Sequence, residues 1–242
     1  MLARQRPTRR SRQVLRLAVA LAAGIALSGC RSRGGLPIGP VPAGSSATGS
    51  SASGTCPISQ PPALPAGQTR TVTITTPKGK IVIKVDANLA PIATGNFIAL
   101  ATCGWYNGVV FHRLVPGFVI QGGDGQYGRV GADGKLPPDT AALAGSGHVG
   151  YTIDDEPVPT TYVRGTVAMA RTAQAHSEED QFFIVLDDSA AQALTRANNY
   201  AILGKVTAGM DVVDAIAAMP NSGDPANTAL DPLPMISVTV GP

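Results

Sequence analysis

The chain has no internal run of the roughly 18 apolar residues that a membrane-spanning helix needs, although 44% of its 242 residues are hydrophobic. That composition can fill one core, and the length allows one domain of ordinary size with extensions. No stretch after residue 33 combines a basic stripe with interleaved aromatics, which excludes nucleic acid as a partner. Gly122-Gly123-Asp124-Gly125 is glycine-rich but lacks the Gly-Lys-Ser/Thr that would complete a phosphate-binding loop. No internal repeat is visible, and no grouping of residues calls for a metal or a cofactor. The run His176-Ser177-Glu178-Glu179-Asp180 could be read as a cation site, but the plainer reading is a solvated acidic loop. His148 and His176 lie in polar loops and read as solvated, and His112 reads as structural rather than as a base.

What is present begins with a targeting segment. Arg4, Arg6, Arg9, Arg10, Arg12 and Arg16 precede the apolar run Leu17 to Leu27, with no acidic residue among them, the layout of a secretory signal. The run ends Leu27-Ser28-Gly29-Cys30, which resembles the lipobox of bacterial lipoproteins, in which the cysteine is lipidated and becomes the new N-terminus. The alternative is a plain signal peptide with an incidental cysteine. Arg9-Arg10 leaves twin-arginine export open beside the general secretory route. The full chain has 19 basic and 16 acidic residues. Removing residues 1–29 takes six arginines, so thirteen basic against 16 acidic residues leave a net charge of −3. Residues 30–68 are rich in Gly, Ser, Pro, Ala and Thr and nearly free of large apolar residues, and read as a tether. A flexible chain of about 38 residues spans roughly 34 Å root-mean-square. The expectation is a protein held by lipid on the extracytoplasmic face of the cell membrane, with its domain from residue 69 to 242.

Within that domain, Thr71–Thr75 and Ile81–Val85 flank the turn Pro77-Lys78-Gly79-Lys80 and read as a hairpin. Residues 91–102 read as a helix, opened by Pro91 and closed by Gly104, with Ile92, Phe97, Leu100 and Ala101 as its buried stripe. Strands are expected at 109–115, 118–121, 166–170, 182–186, 201–206 and 236–240. A second helix is expected at 210–218, burying Val212, Val213, Ile216 and Ala217. Residues 122–160 read as long loops. Many short strands with two helices point to an all-β closed sheet.

The densest signal is Phe111-His112-Arg113-Leu114-Val115-Pro116-Gly117-Phe118-Val119-Ile120-Gln121-Gly122-Gly123-Asp124. Its alternation puts Phe111, Arg113 and Val115 on one face of a strand and His112 and Leu114 on the other. Pro116-Gly117 turns the chain into a second apolar segment that ends in Gln121. Arginine is seldom buried without a task. A fixed cation and an amide beside an apolar wall suit a substrate that is ring-like, apolar and carries a carbonyl.

This stretch resembles the signature of the cyclophilin-type peptidyl-prolyl cis–trans isomerases. So do Gly165-Thr166-Val167-Ala168-Met169-Ala170-Arg171 with Gln181-Phe182-Phe183-Ile184, and Tyr200-Ala201-Ile202-Leu203-Gly204-Lys205-Val206 followed by Gly209-Met210-Asp211-Val212-Val213. Order and spacing are similar from about residue 70 to 241. The resemblance implies a closed eight-stranded antiparallel barrel capped by a helix at each end. It also implies binding of proline-containing peptides and unfolded exported proteins. It makes Arg113 the catalytic cation and Gln121 the residue that orients it. Phe118, Met169 and Phe183 become the proline pocket with Leu203 behind it, and Gln181, Ala170 and Arg171 the peptide-binding edge. Tyr200 stands where many members carry histidine. The tryptophan that members carry ahead of that position is missing; Trp105, the only one in the chain, lies in another element. The region Ala191 to Asn199 is about two residues longer. Weak binding of cyclosporin-like macrocycles is therefore expected. A non-catalytic peptide-binding or chaperone lipoprotein of the same fold is the alternative, and an adhesion or assembly surface is a third.

Once Cys30 carries lipid, Cys56 and Cys103 remain as a pair in an exported protein, where disulfides persist. They are either bridged or left as two free thiols.

Overall fold

A computed structural model describes residues 54–197 and 199–242. The leader 1–29, the lipidation expectation at Cys30 and tether residues 30–53 lie outside the described residues.

The hairpin forms first in sequence, as β1 (Thr69–Thr76) and β2 (Gly79–Asp86), and its β-branched residues alternate between the core and the outer face. Helix α1 (Pro91–Cys103) follows, with proline in its first turn and Gly104 in the left-handed conformation (φ 84°) at its C-terminus, where glycine carries no steric penalty. Its first amides are capped from a distance: the Glu156 carboxylate accepts from the N–H groups of Ile92 and Ala93, both at 2.8 Å. Phe97, Leu100 and Ala101 are buried as expected, together with Ala93, while Ile92 is only half-buried. The later elements are β3 (Val110–Val115), β4 (Val119–Gly122), β5 (Thr166–Met169), β6 (Phe182–Val185), α2 (Ala190–Ala197), β7 (Ile202–Ala208), α3 (Met210–Ala217), β8 (Thr228–Pro234) and β9 (Ser237–Gly241).

All nine strands form one antiparallel sheet in the order β8-β3-β4-β6-β5-β7-β2-β1-β9, curled into a half-barrel. The expected counts of eight strands and two helices are replaced by nine strands and three α-helices among the described residues. The extra strand is β8, which pairs with β3. Its two prolines, Pro232 and Pro234, hide it from a propensity reading and confine it to an edge position. Only Met235 and Ile236 separate it from β9, at the other end of the strand order. Met235 donates to the Val109 carbonyl at 2.8 Å and Ile236 to the Thr75 carbonyl at 2.7 Å. The extra helix is α2, an Ala-rich segment of high helix propensity within the lengthened region Ala191 to Asn199.

Two apolar clusters occupy the two faces of the sheet. The larger packs Ile74, Ile83, Phe97, Phe111, Leu114, Met169, Phe182 and Leu203 against α1 and α3. The smaller contains Val119, Tyr162, Ala168, Phe183, Leu194 and Ile202, with Phe118, Val115 and Tyr200 at its margin. Of the residues expected at the site, Phe118, Ala170, Phe183 and Tyr200 belong to this second cluster, and Met169 and Leu203 to the first.

The stretch 56–68 does not hang free of the domain. Cys56 and Cys103 form a disulfide that spans 47 residues of sequence. Pro61 is buried, Leu64 donates to the Pro91 carbonyl at 2.9 Å, and the Gln60 amide oxygen accepts from the Asp154 N–H at 2.9 Å. These contacts seat the segment along α1. Ala- and Pro-rich chain can do this because it presents backbone, not bulk. A Cβ on Gly95 of α1 would lie 2.4 Å from the Pro62 carbonyl oxygen.

Candidate functional site

The strand registers assemble the site. Arg113 on β3 pairs with Gln121 on β4, Gln121 with Phe183 on β6, Phe183 with Ala168 on β5, and Ala168 with Ile202 on β7. Directly opposed residues share a face of the sheet, so one row carries a cation, an amide and an aromatic ring side by side. The Arg113 Nη1 donates to the Gln121 Oε1 at 3.3 Å, the Gln121 Nε2 donates to the Gln181 Oε1 at 3.0 Å, and the Gln181 Nε2 donates to the Gly145 carbonyl at 3.1 Å. This relay holds the guanidinium from one side.

The alternation read from the sequence fails at one point. Phe111 does not share a face with Arg113. The register of β3 shifts between Phe111 and Arg113 against both β4 and β8. Such a bulge re-aims the following side chains. Phe111 and Leu114 therefore join the large core, while Arg113 and Val115 face the smaller cluster. His112, at the bulge, is 5% exposed, and its Nδ1 has no partner. Burial pushes its pKa down to about 4, so the ring is neutral near pH 7, as a structural residue should be. A Cβ at Gly145 (φ 97°) would sit 2.8 Å from this ring, so the loop over His112 requires glycine there on two counts.

Beside Arg113 lies a cavity of about 210 Å³ lined by Arg113, Phe118, Val119, Gln121, Ala170, Arg171, Phe183, Leu194 and Tyr200. The rings of Phe183 and Tyr200 meet edge to face with centroids 5.4 Å apart, a favoured aromatic geometry. The Tyr162 hydroxyl clamps the Tyr200 backbone, donating to its carbonyl at 3.1 Å and accepting from its N–H at 3.2 Å. The result is a slot with apolar and aromatic side chains, one amide and two guanidinium groups, those of Arg113 and Arg171, on its wall.

Of the residues expected at the site, Arg113, Gln121, Phe118, Phe183, Ala170, Arg171 and Tyr200 line this cavity, and Gln181 lines the one next to it. Met169 and Leu203 do not. Both are fully buried in the large core. Each is one residue out of phase, and the period of two sends Ala168 and Ile202 to the site face instead. The Arg171 side chain reaches the rim but is not free. It donates to Asp155 at 2.8 Å and to the Asn199 carbonyl at 3.1 Å, and is only 4% exposed. Leu194 and Tyr162 join the site without having been expected there. The helical spacing of Ala190 and Leu194 is the signal in the sequence that marks α2. Trp105 does not line the slot, and its indole N–H donates to Asp180 at 3.0 Å.

The acidic run is not a solvated loop. Glu178 is 1% exposed and Asp180 fully buried. One oxygen of Glu178 accepts from the Ala201 N–H at 2.8 Å, tying this segment to the start of β7. Burial pushes the Glu178 carboxyl up to about 8 and the Asp180 carboxyl up to about 7. His148 and His176 are exposed but engaged, His148 with Glu179 at 3.0 Å and His176 with Asp154 at 3.3 Å.

Residues 71–240 match the family of cyclophilin type peptidyl-prolyl cis-trans isomerase/CLD. A peptidyl-prolyl cis-trans isomerase of Acinetobacter baylyi is 37% identical over 165 residues, covering 67% of this chain and 80% of that protein. The crystal structure of a cyclophilin-type peptidyl-prolyl cis-trans isomerase of Cryptosporidium parvum superposes with a TM-score of 0.58 at 26% identity, covering 72% of this chain and 99% of that one. The same Cryptosporidium protein in the presence of the dipeptide Ala-Pro gives a TM-score of 0.55 at 25% identity. With the family's three sequence blocks folded into one sheet and its cation and aromatic ring side by side, the chain belongs to the cyclophilin-type peptidyl-prolyl cis–trans isomerases and catalyses isomerisation of X–Pro peptide bonds.

Proposed function

We propose that Arg113 accelerates isomerisation by stabilising the twisted prolyl amide. The observation that carries this is the guanidinium set in the wall of an apolar slot, with the Gln121 amide oxygen 3.3 Å away. An X–Pro bond turns slowly because resonance keeps the amide planar. Twisting it breaks that resonance, and the nitrogen becomes pyramidal and gains electron density. No nucleophile or proton transfer is needed. Phe118, Phe183, Leu194 and Tyr200 hold the pyrrolidine ring, and the guanidinium, always charged and donating in a fixed fork, favours the twisted state over the planar one. This is differential binding of the transition state. Gln121, held in turn by Gln181, fixes the angle of the fork. The Ala-Pro dipeptide present with the Cryptosporidium protein is a ligand of the class this slot would take. The deciding assay is isomerisation of a proline-containing peptide, described for Arg113→Ala below.

The N-terminal sequence supports a setting for this activity: a lipid-anchored enzyme on the extracytoplasmic face of the membrane that assists the folding of exported proteins. Cys30 is the acylated residue, and two or more acyl chains anchor stably where one does not. Mass spectrometry of the mature N-terminus should find a diacylglyceryl-modified Cys30. An unmodified terminus at another residue would return the segment to an ordinary signal peptide.

Cyclosporin-like macrocycles should bind weakly. The slot wall nearest α2 is Leu194, an aliphatic side chain without a donor, and the indole N–H of Trp105 is already given to Asp180. Calorimetric titration should return a Kd well above nanomolar; nanomolar affinity would show that another group supplies the missing contact.

A further inference from the structure

Four of the chain's five lysines gather on one part of the sheet: Lys78 in the β1–β2 turn, Lys80 and Lys84 on β2, and Lys205 on β7. All four are exposed. Lys80 and Lys84 share the outer face of β2 by the strand period of two, and Lys205 stands directly opposite Lys84. Like charges directly opposed across two strands destabilise the pair. Among the described residues no lysine enters an ion pair, so no acid of the domain offsets that cost. Folded chains break a local rule of this kind where function requires it.

The rest of this face is short and hydroxylated. The registers set Thr71, Thr73 and Thr75 of β1 beside Lys84, Val82 and Lys80, and Gly241, Thr239 and Ser237 of β9 beside those threonines. The four-carbon lysine stems therefore rise above their neighbours. Two acids border the face. Asp86, at the end of β2, accepts from the Asn88 N–H at 2.9 Å, and Asp211 lies in the first turn of α3, where a negative charge suits the helix N-terminus. Eleven of the chain's 16 acids lie in the stretch from Asp124 to Asp188. The charge is thus segregated: a basic face on β1, β2 and β7, in a domain whose acids are mostly elsewhere.

We propose that this lysine face docks on the anionic headgroups of the membrane surface and orients the domain there. It rests on the reading that Cys30 anchors the chain. A membrane carrying anionic lipid attracts clustered lysines, and the attraction fades within a Debye length, so an anchor that keeps the domain close is what makes the face effective. The ammonium groups meet headgroup phosphates as point charges, and the threonine hydroxyls between them can donate to the same oxygens. An opposing layer of negative charge also removes the repulsion between Lys84 and Lys205. The slot is left free. Gln121 on β4 lies four strands from Lys84 on β2 in the sheet order, and the sheet is curled, so the lysine face and the slot point in different directions. Docking through the lysines would turn the slot away from the lipid, toward incoming polypeptide.

The test mixes the full chain with vesicles of phosphatidylcholine, or of equal parts phosphatidylcholine and phosphatidylglycerol. Flotation measures binding, and mass spectrometry follows the rate at which each lysine is acetylated. Lys135, exposed in the loop after β4, is the internal reference. On the anionic vesicles at low salt, Lys80, Lys84 and Lys205 should react about fivefold more slowly relative to Lys135 than on the neutral ones. The protection should vanish in 1 M salt, where the Debye length is about 3 Å. In the double variant Lys84→Glu/Lys205→Glu, Lys80 should react alike on both vesicles; the leader arginines are the same in parent and variant, so the comparison isolates the sheet face. Equal relative rates on the two vesicles, or protection that the double variant keeps, overturns the docking face. Protection by polyglutamate but not by anionic vesicles overturns it in favour of an acidic polypeptide partner. A chain that floats only with anionic vesicles removes the lipid anchor, and the lysine rates then decide the face alone; a chain that floats with neither removes both. Should the double variant not fold, the salt response of the parent decides: protection that 1 M salt leaves unchanged overturns the proposal.

Discussion

Arg113→Ala should lower kcat/KM for prolyl isomerisation by at least tenfold, equivalent to about 1.4 kcal/mol of transition-state stabilisation. The fold should survive. Arg113 is only half-buried at the margin of the smaller cluster, and its side chain donates to Gln121 at 3.3 Å. Removing it leaves an amide oxygen beside an open cleft that water can reach. The apolar slot of Phe118, Phe183 and Tyr200 would still bind the proline ring, so the loss should fall mainly on kcat. The measurement is isomerisation of a proline-containing peptide by parent and variant. The slow proline-limited refolding of an exported protein should respond in the same direction. Equal activity in the two proteins would remove Arg113 from the mechanism. Activity lost together with a lowered melting temperature would assign it to the fold instead.

The second large effect is on stability. The Cys56–Cys103 bridge joins residues separated by 47 positions in sequence, and chain entropy alone assigns it roughly 4 kcal/mol. That is a large share of the roughly 5–15 kcal/mol by which domains are usually stable. Cys103→Ser, or reduction of the parent, should therefore shift the denaturation midpoint strongly. The released strap would also lose the Leu64–Pro91 and Gln60–Asp154 hydrogen bonds. Denaturant titration of the oxidised and reduced protein is the measurement, with intact mass and alkylation to count thiols. A midpoint that reduction does not move would show that the strap stays bound without its covalent tie, or was never bridged.

Much of the site is legible in the chain itself. Arg113, Gln121, Phe118 and Phe183 lie in contiguous runs whose apolar spacing marks strands, and strands bring residues of one face together. Helices α1 and α3 are readable from proline, glycine and apolar stripes, because caps and burial are local signals. The basic leader and the cysteine that follows it are local as well. Other features depend on the partner of each strand. The bulge at His112 decides which side Arg113 faces, and a bulge exists only relative to the neighbouring strand. The parity that puts Ala168 and Ile202 at the site, and Met169 and Leu203 in the core, is a matter of register, which the sheet sets and a lone strand does not. Strand β8 contains prolines and is a strand only because β3 pairs with it. The run Glu178-Glu179-Asp180 reads as solvated by charge alone, yet the fold buries two of its acids against Trp105, Tyr106 and the start of β7. Residue order along the chain is thus enough to assign the family, the cation and amide of the slot, and the local elements that carry them. Which face each side chain occupies, and how deeply its charge is buried, is settled in three dimensions, because strand pairing and desolvation are properties of segments distant in sequence that meet only in the fold.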